Sequence, residues 1–190
     1  MTGTISTTDA PDACFSTARL AMRPLDARDE ALYRQLYCTP ELMRNIAPPM
    51  SLEAASRSFA AACRQQSTRR QRWIVTDQQS NEEVGLLGLI GRGDAPEIGV
   101  MLLAHSHGRG LATEAMAGLA DWAFSRLTLQ RIAARQSVPD NPPVVRMMLR
   151  LGYSPLPATI ERPHGGEWML ERSAWSSHRT VAMAMVPSSG

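Results

Sequence analysis

The residues best suited to chemistry lie between Glu97 and Met116, in EIGVMLLAHSHGRGLATEAM. An apolar strand runs into a short turn, His107-Gly108-Arg109-Gly110, and the chain then enters a helix at Leu111, Ala112 and Thr113. The first amides of a helix have no partner within it and point outward at the positive end of its dipole. A turn that delivers the chain into a helix in this way binds phosphate oxygens. Gly108 and Gly110 allow the backbone to close on the anion, Arg109 adds charge, Thr113 offers a hydroxyl, and the small Ala112 lets the helix approach. An ordinary strand-to-helix turn that uses glycine for geometry fits the same spacing. Two other phosphate motifs are excluded, because neither Gly-Lys-Ser/Thr nor GxGxxG is present.

The elements that must hold this turn follow from periodicity. Ala18–Arg23 alternates and meets Pro24, which predicts a first strand stopping at the proline. Asp26 or Asp29 caps a helix from Glu30 to Cys38, and a short helical turn over Glu41–Met50 ends at Pro48-Pro49. Ser51 caps a second helix reaching Gln66, with Leu52, Ala55, Phe59 and Cys63 on one stripe. Strands follow at Arg72–Thr76, Val84–Ile90 and Glu97–Leu103. A helix over Gly110–Arg126, a strand over Arg131–Val138 and a helix begun by Asp140-Asn141 and ended by Gly152 come next. Leu156–Glu161, the turn His164-Gly165-Gly166 and Trp168–Glu171 make a terminal hairpin. The order β-α-α-β-β-β-α-β-α-β-β implies an α/β (α+β) fold, a mixed sheet with helices on both faces. Residues 1–16 read as a tail, 17–175 as one domain and 176–190 as a second tail.

Composition narrows the function classes. Apolar residues make up 44% of the 190 and charged residues 20%, which is globular usage. A net charge of +2 is too small to argue for nucleic acid or an anionic membrane. The Arg-rich turn Arg69-Arg70-Arg72 is short and lacks interleaved aromatics. All 20 basic residues are Arg. Cys14, Cys38 and Cys63 are odd in number and widely spaced, which supports neither a disulfide framework nor a metal site. No signal peptide is visible, and the expectation is a cytoplasmic protein.

At the turn the chain resembles the GNAT superfamily of N-acetyltransferases. Its acetyl-CoA signature, Q/R-x-x-G-x-G/A, stands here as His107-Gly108-Arg109-Gly110-Leu111-Ala112, with His in the first place. The continuation Ala112-Thr113-Glu114-Ala115 resembles the branch that contains ribosomal-protein N-terminal, spermidine and some antibiotic acetyltransferases. The resemblance runs in order from Leu20-Ala21-Met22-Arg23-Pro24-Leu25 through Asn141 and Leu151-Gly152-Tyr153 to Trp168-Met169-Leu170.

The resemblance implies a splayed mixed sheet with acetyl-CoA wedged between the Glu97–Leu103 and Arg131–Val138 strands. The pantetheine arm would pair with backbone at Met101, Leu102 and Leu103, and the Asn141 side chain would reach it. Glu97, opening the strand beside the cofactor, is the implied base; Glu114, in the first helical turn, reads as structural. Relatives place a Tyr or Ser acid on the helix after Asn141, where this chain has Val144 and Met148. Tyr153 reads as core and His164 as an exposed turn residue. Met43, Asn45, Ile46 and Met50 would close over the acceptor, an amine on a protein N-terminus or small molecule. The implied protein is a monomer or homodimer that needs no metal. A non-catalytic acyl-CoA-binding scaffold is the alternative, favoured by the missing acid.

Overall fold

The computed structural model describes residues 13–67, 70–91, 94–138, 141–158 and 166–177. The expected mixed sheet flanked by helices is borne out: among the described residues eight strands lie in the order β1-β2-β3-β4-β5-β6-β8-β7. β1 (Phe15–Ser16), β2 (Leu20–Pro24), β3 (Arg70–Asp77), β4 (Glu82–Ile90) and β5 (Glu97–Leu102) are antiparallel neighbours. β5 and β6 (Arg131–Arg135) are parallel, and β6 pairs antiparallel with β8 (Glu167–Glu171), which β7 (Ser154–Pro155) flanks. The parallel pair is joined by the crossover helix α4 (Leu111–Arg126), as a parallel connection requires.

Two cores sit on the two faces of the sheet. α1 (Glu30–Cys38) and α3 (Leu52–Arg64) cover one face, burying Tyr33, Leu36 and Phe59 against Ile74 and Leu86. The larger core packs α4 against Trp73, Leu87, Leu89 and Ile98 and continues to Met148 on α5 (Pro142–Arg150). α4 buries nine of its sixteen residues, so it is apolar nearly all round and reads as an internal helix. Ser51 caps α3 as expected, its hydroxyl accepting from the Ala54 amide.

Several boundaries differ from the sequence expectation. Residues 13–16 belong to the fold rather than to a tail. Phe15 packs 5.6 Å from the Trp73 ring and 6.0 Å from Trp122, and the Ala13 carbonyl accepts from Trp73 Nε1. A single aromatic among Ser and Thr carries no period, so only its tertiary partners reveal it. β2 begins at Leu20 rather than Ala18, and it ends at Pro24, opposite Trp73, where the proline was expected to stop it. The turn expected over Glu41–Met50 is a four-residue helix, α2 (Pro40–Met43). β3 begins at Arg70 rather than Arg72, so Arg70 lies in the strand rather than in a turn, while Arg69 is outside the described residues. The strand expected to reach Val138 stops at Arg135. The hairpin strand begins at Ser154 rather than Leu156, and Thr159–Gly165, with His164, lies outside the described residues. Residues 172–177 form a helical turn, so the domain runs to at least Ser177. No helix among the described residues is long and apolar enough to cross a membrane.

Candidate functional site

The early end of β6 creates the site. β5 and β6 are paired at Glu97 with Ala133 and at Ile98 with Ala134, and beyond those residues the ladder stops. The two strands diverge and leave a cleft of about 570 Å³. Gly99, Val100, Met101 and Leu102 line one wall, and Arg135, Ser137 and Asn141 line the other. Val144, Met147 and Met148 of α5 close its side.

Which backbone groups of β5 face the opening follows from the ladder. The Leu103 amide bonds the Val84 carbonyl on β4, whereas the Pro96 carbonyl accepts the Ala133 amide from β6. Odd-numbered residues therefore turn their amides toward β4 and even-numbered ones toward β6. This corrects two expected residues. Met101 and Leu103 have their backbone groups committed to β4, and Leu103 is buried in the core under α1 and α3. Val100, which the sequence reading missed, and Leu102 carry the free edge. Leu102 is half spent, because His107 Nε2 donates to its carbonyl at 2.9 Å. His107 thus fixes the end of β5 to the turn. Strand alternation counted from a known neighbour would have found Val100, but the neighbours of β5 are a tertiary fact.

The turn itself has the conformation its glycines suggest. Gly108 and Gly110 have φ of +73° and +76°, values that a residue with Cβ adopts at a cost. A Cβ on Gly108 would meet nothing within 4 Å, so the space over the turn is open. Gly110 is the N-cap of α4, with no side chain capping the helix. Glu114 is the first helical residue whose amide is taken, by the Gly110 carbonyl. The amides of Leu111, Ala112 and Thr113 are therefore left for an external acceptor. This is a cradle that fits the phosphates of a nucleotide-like ligand.

Arg109 departs from expectation. Its guanidinium is 2.7 Å from the Asp77 carboxylate at the end of β3, and that carboxylate is buried. Arg109 ties the turn to the β3–β4 hairpin instead of presenting a free charge to an anion. On the other side, Arg19 donates to the Arg109 carbonyl at 2.9 Å and bonds Glu114 at 2.6 Å. Glu114 also accepts from the Thr17 hydroxyl and the Arg19 amide. Burial pushes the Glu114 carboxyl up, and these three donors outweigh it, holding it below the usual carboxylate range. The structural role expected of Glu114 is what its contacts describe.

Glu97 lines the cleft where the strands begin to part, half-buried, with its carboxylate 3.0 Å from Arg135 Nε. Arg135, a residue the sequence reading passed over, also faces Glu167 at 3.4 Å. Asn141 is the N-cap of α5 but makes no side-chain cap bond, so its amide is not used by the helix. Of the residues expected to cover the acceptor, Asn45 and Ile46 line the cleft. Met43 is 2% exposed and belongs to the interior, and Met50 is held by a backbone bond to the Tyr37 carbonyl. Tyr37, Leu42 and Arg72 are cleft residues that sequence reasoning missed. Burial pushes the Tyr37 phenol up, so it stays protonated at neutral pH. Tyr153 is core, 3% exposed.

Comparisons with known proteins agree on the kind of molecule this is. An uncharacterized N-acetyltransferase, p20, of Bacillus licheniformis is 28% identical over 144 residues, which is 72% of this chain and 80% of that protein. The crystal structure of an acetyltransferase from Agrobacterium tumefaciens superposes with a TM-score of 0.73 at 24% identity, covering 84% of this chain and 94% of that one. Spermidine N-acetyltransferase from Vibrio cholerae, solved with CoA and spermine, superposes with a TM-score of 0.72 at 19% identity, covering 84% and 99%. The family model described as an acetyltransferase (GNAT) domain matches residues 19–154. That match spans most of the chain and takes in both the splayed strands and the glycine turn, and the chain belongs to the GNAT acetyltransferase family.

Proposed function

We propose that the protein moves an acetyl group from acetyl-CoA to a primary amine, on a protein N-terminus or a small molecule, within the cleft between β5 and β6. The observation that carries this reading is the coincidence of the open β5 edge with the unpartnered start of α4. The amides of Leu111, Ala112 and Thr113, with the Gly108 and Gly110 backbone, would hold the pyrophosphate of acetyl-CoA. Val100 and Leu102 would pair with the amide-bearing arm as a missing strand would, and Asn141 would reach the same arm from α5. Acetyl-CoA supplies an activated acyl group as its thioester.

The chain's own residues then have three tasks. The first is to align the amine with the acyl carbon at the parting of the strands, which is where proximity has its effect. Glu97 performs the second, drawing a proton from the amine directly or through water, while Arg135 fixes its orientation. The third is to keep the cleft dry, and Val144, Met147 and Met148 do so along α5. None of these three side chains has a proton to give, so solvent protonates the departing sulfur. That same observation favours the second reading, an acyl-CoA-binding scaffold without turnover.

Titration calorimetry with acetyl-CoA, followed by a thiol-release assay across amines and peptides, tests the proposal. Binding with turnover on at least one acceptor is expected. Folded protein that does not bind acetyl-CoA overturns it, and binding without turnover on any acceptor selects the scaffold.

A further inference from the structure

The face of the sheet under α1 and α2 carries an arrangement that defines the acceptor more closely. The register across β3, β4 and β5 is unbroken here, so three rows of side chains stand side by side. One row is Ile74, Leu86 and Met101; the next is Arg72, Gly88 and Gly99; the third is Arg70, Ile90 and Glu97. Alternation puts all nine on one face. The first row belongs to the core beneath α1 and α3. The middle row does not continue it. Two of its three positions have no side chain, and Arg72, Gly88 and Gly99 all line the cleft.

The fold does not require these two glycines. A Cβ on Gly99 would meet nothing within 4 Å, and one on Gly88 would only touch Arg72 Cγ at 4.0 Å. Gly85, on the same strand, is different: its Cβ would stand 2.2 Å from the Met101 carbonyl oxygen, so close backbone approach demands glycine there. Gly88 and Gly99 instead keep the floor of the cleft low, and none of the described residues fills the space above Gly99.

Charge bounds this floor at both ends. Arg72 stands two strand spacings from Gly99, roughly 10 Å. Among the described residues no carboxylate lies within ion-pairing distance of it, and the Tyr37 phenol is its neighbour in the cleft. At the other end, Glu97 is the one acidic side chain lining the cleft among the described residues, and it is already paired with Arg135. A cleft with two arginines and one committed carboxylate does not suit a polycation. An unpaired guanidinium in a half-enclosed site suits a carboxylate, which it holds through two parallel hydrogen bonds.

We infer that the acceptor is a primary amine that also carries a carboxylate, lying on the Gly88–Gly99 floor with its amine toward Glu97 and its carboxylate on Arg72. The inference rests on the transferase reading and names the substrate class of that site. Two sources supply this chemistry: a free amino acid, and a peptide N-terminus followed closely by an acidic residue.

Matched acceptor pairs test it in the full-length protein. One arm compares amino acids with their carboxamides, and the other compares Ala-Asp-amide with Ala-Asn-amide. Thiol release is expected to favour the anionic member of at least one arm by tenfold or more in kcat/KM, and the arm that responds identifies the source. Arg72→Gln should erase the preference by raising KM for the anionic member, and Arg72→Lys should restore part of it. Gly99→Ala, whose Cβ would meet nothing within 4 Å, should raise KM for the acceptor while acetyl-CoA binding and the melting temperature stay at the level of the parent.

Equal rates for both members of both pairs, or a preference that survives Arg72→Gln, would overturn the inference. Titrating the same amines into the protein–CoA complex separates the two levels. Carboxylate-dependent binding that Arg72→Gln removes supports the inference even without turnover. No binding of any anionic amine to a complex that does hold CoA overturns it while leaving the cofactor site standing.

Discussion

The two ends of the cleft are built on different principles. At the turn, nearly every polar group is committed to the fold: Arg109 to Asp77, Arg19 to Glu114 and to the Arg109 carbonyl, His107 to the Leu102 carbonyl. What is left over is backbone, the amides at the start of α4. At the acceptor end the backbone is paired across β3, β4 and β5, and what is left over is side chain or empty space: Arg72, Tyr37, Asn45 and the two floor glycines. Ile46 is 39% exposed beside them. A cofactor shared by a whole family is best held by backbone, whose geometry survives substitution. An acceptor that varies is read by side chains, which substitution changes freely.

This contrast predicts that the two ends fail differently. Glu97→Gln removes the proposed base and keeps the shape, so turnover should fall by about 10²-fold with acetyl-CoA affinity unchanged. Steady-state thiol release beside titration calorimetry checks this, and a matched loss of affinity would mean that the ends are not separable. Gly108→Val puts a β-branched residue at φ +73° and fills the open space over the turn. The conformation alone costs about 1–2 kcal/mol, and the dissociation constant for acetyl-CoA should rise by at least about tenfold. Acceptor discrimination in the remaining activity should be unchanged.

The smallest effect concerns pH. The Glu114 carboxyl is held below its ordinary value in the folded protein, because Thr17 and Arg19 outweigh the opposing effect of burial. Stability from this link is complete above the unfolded value of about 4.3 and is lost as pH falls through the lower folded one. Asp77 acts in the same direction, through the Gln79 amide first and then Arg109. Melting temperatures measured from pH 7 to pH 3 should decline below about pH 4.3, and Glu114→Gln should flatten that decline. An unchanged slope in the variant would show that Glu114 does not hold β1 and β2 to α4.

Much of this was legible in order of appearance. Strong periodicity located α1, α3 and α4, because an amphipathic or fully apolar helix writes its burial into spacing. Turn chemistry located Gly108 and Gly110, because glycine is the residue that accepts a positive φ freely. Phe15 was invisible because its two tryptophan partners, Trp73 and Trp122, lie 58 and 107 positions away along the chain. The pairing of Arg109 with Asp77 is not legible, because a basic residue beside an anion turn has the same sequence signature whether its charge is free or paired.

The sequence by itself determined the local conformation of the turn, since that depends on residue type and near neighbours. The tertiary structure decided which backbone groups are free and which side chains share a surface. Val100 carries the open edge only because β6 ends at Arg135, and Arg72 meets Gly99 only because β3, β4 and β5 align in register. Both are facts about pairing between distant segments, which no window of sequence contains.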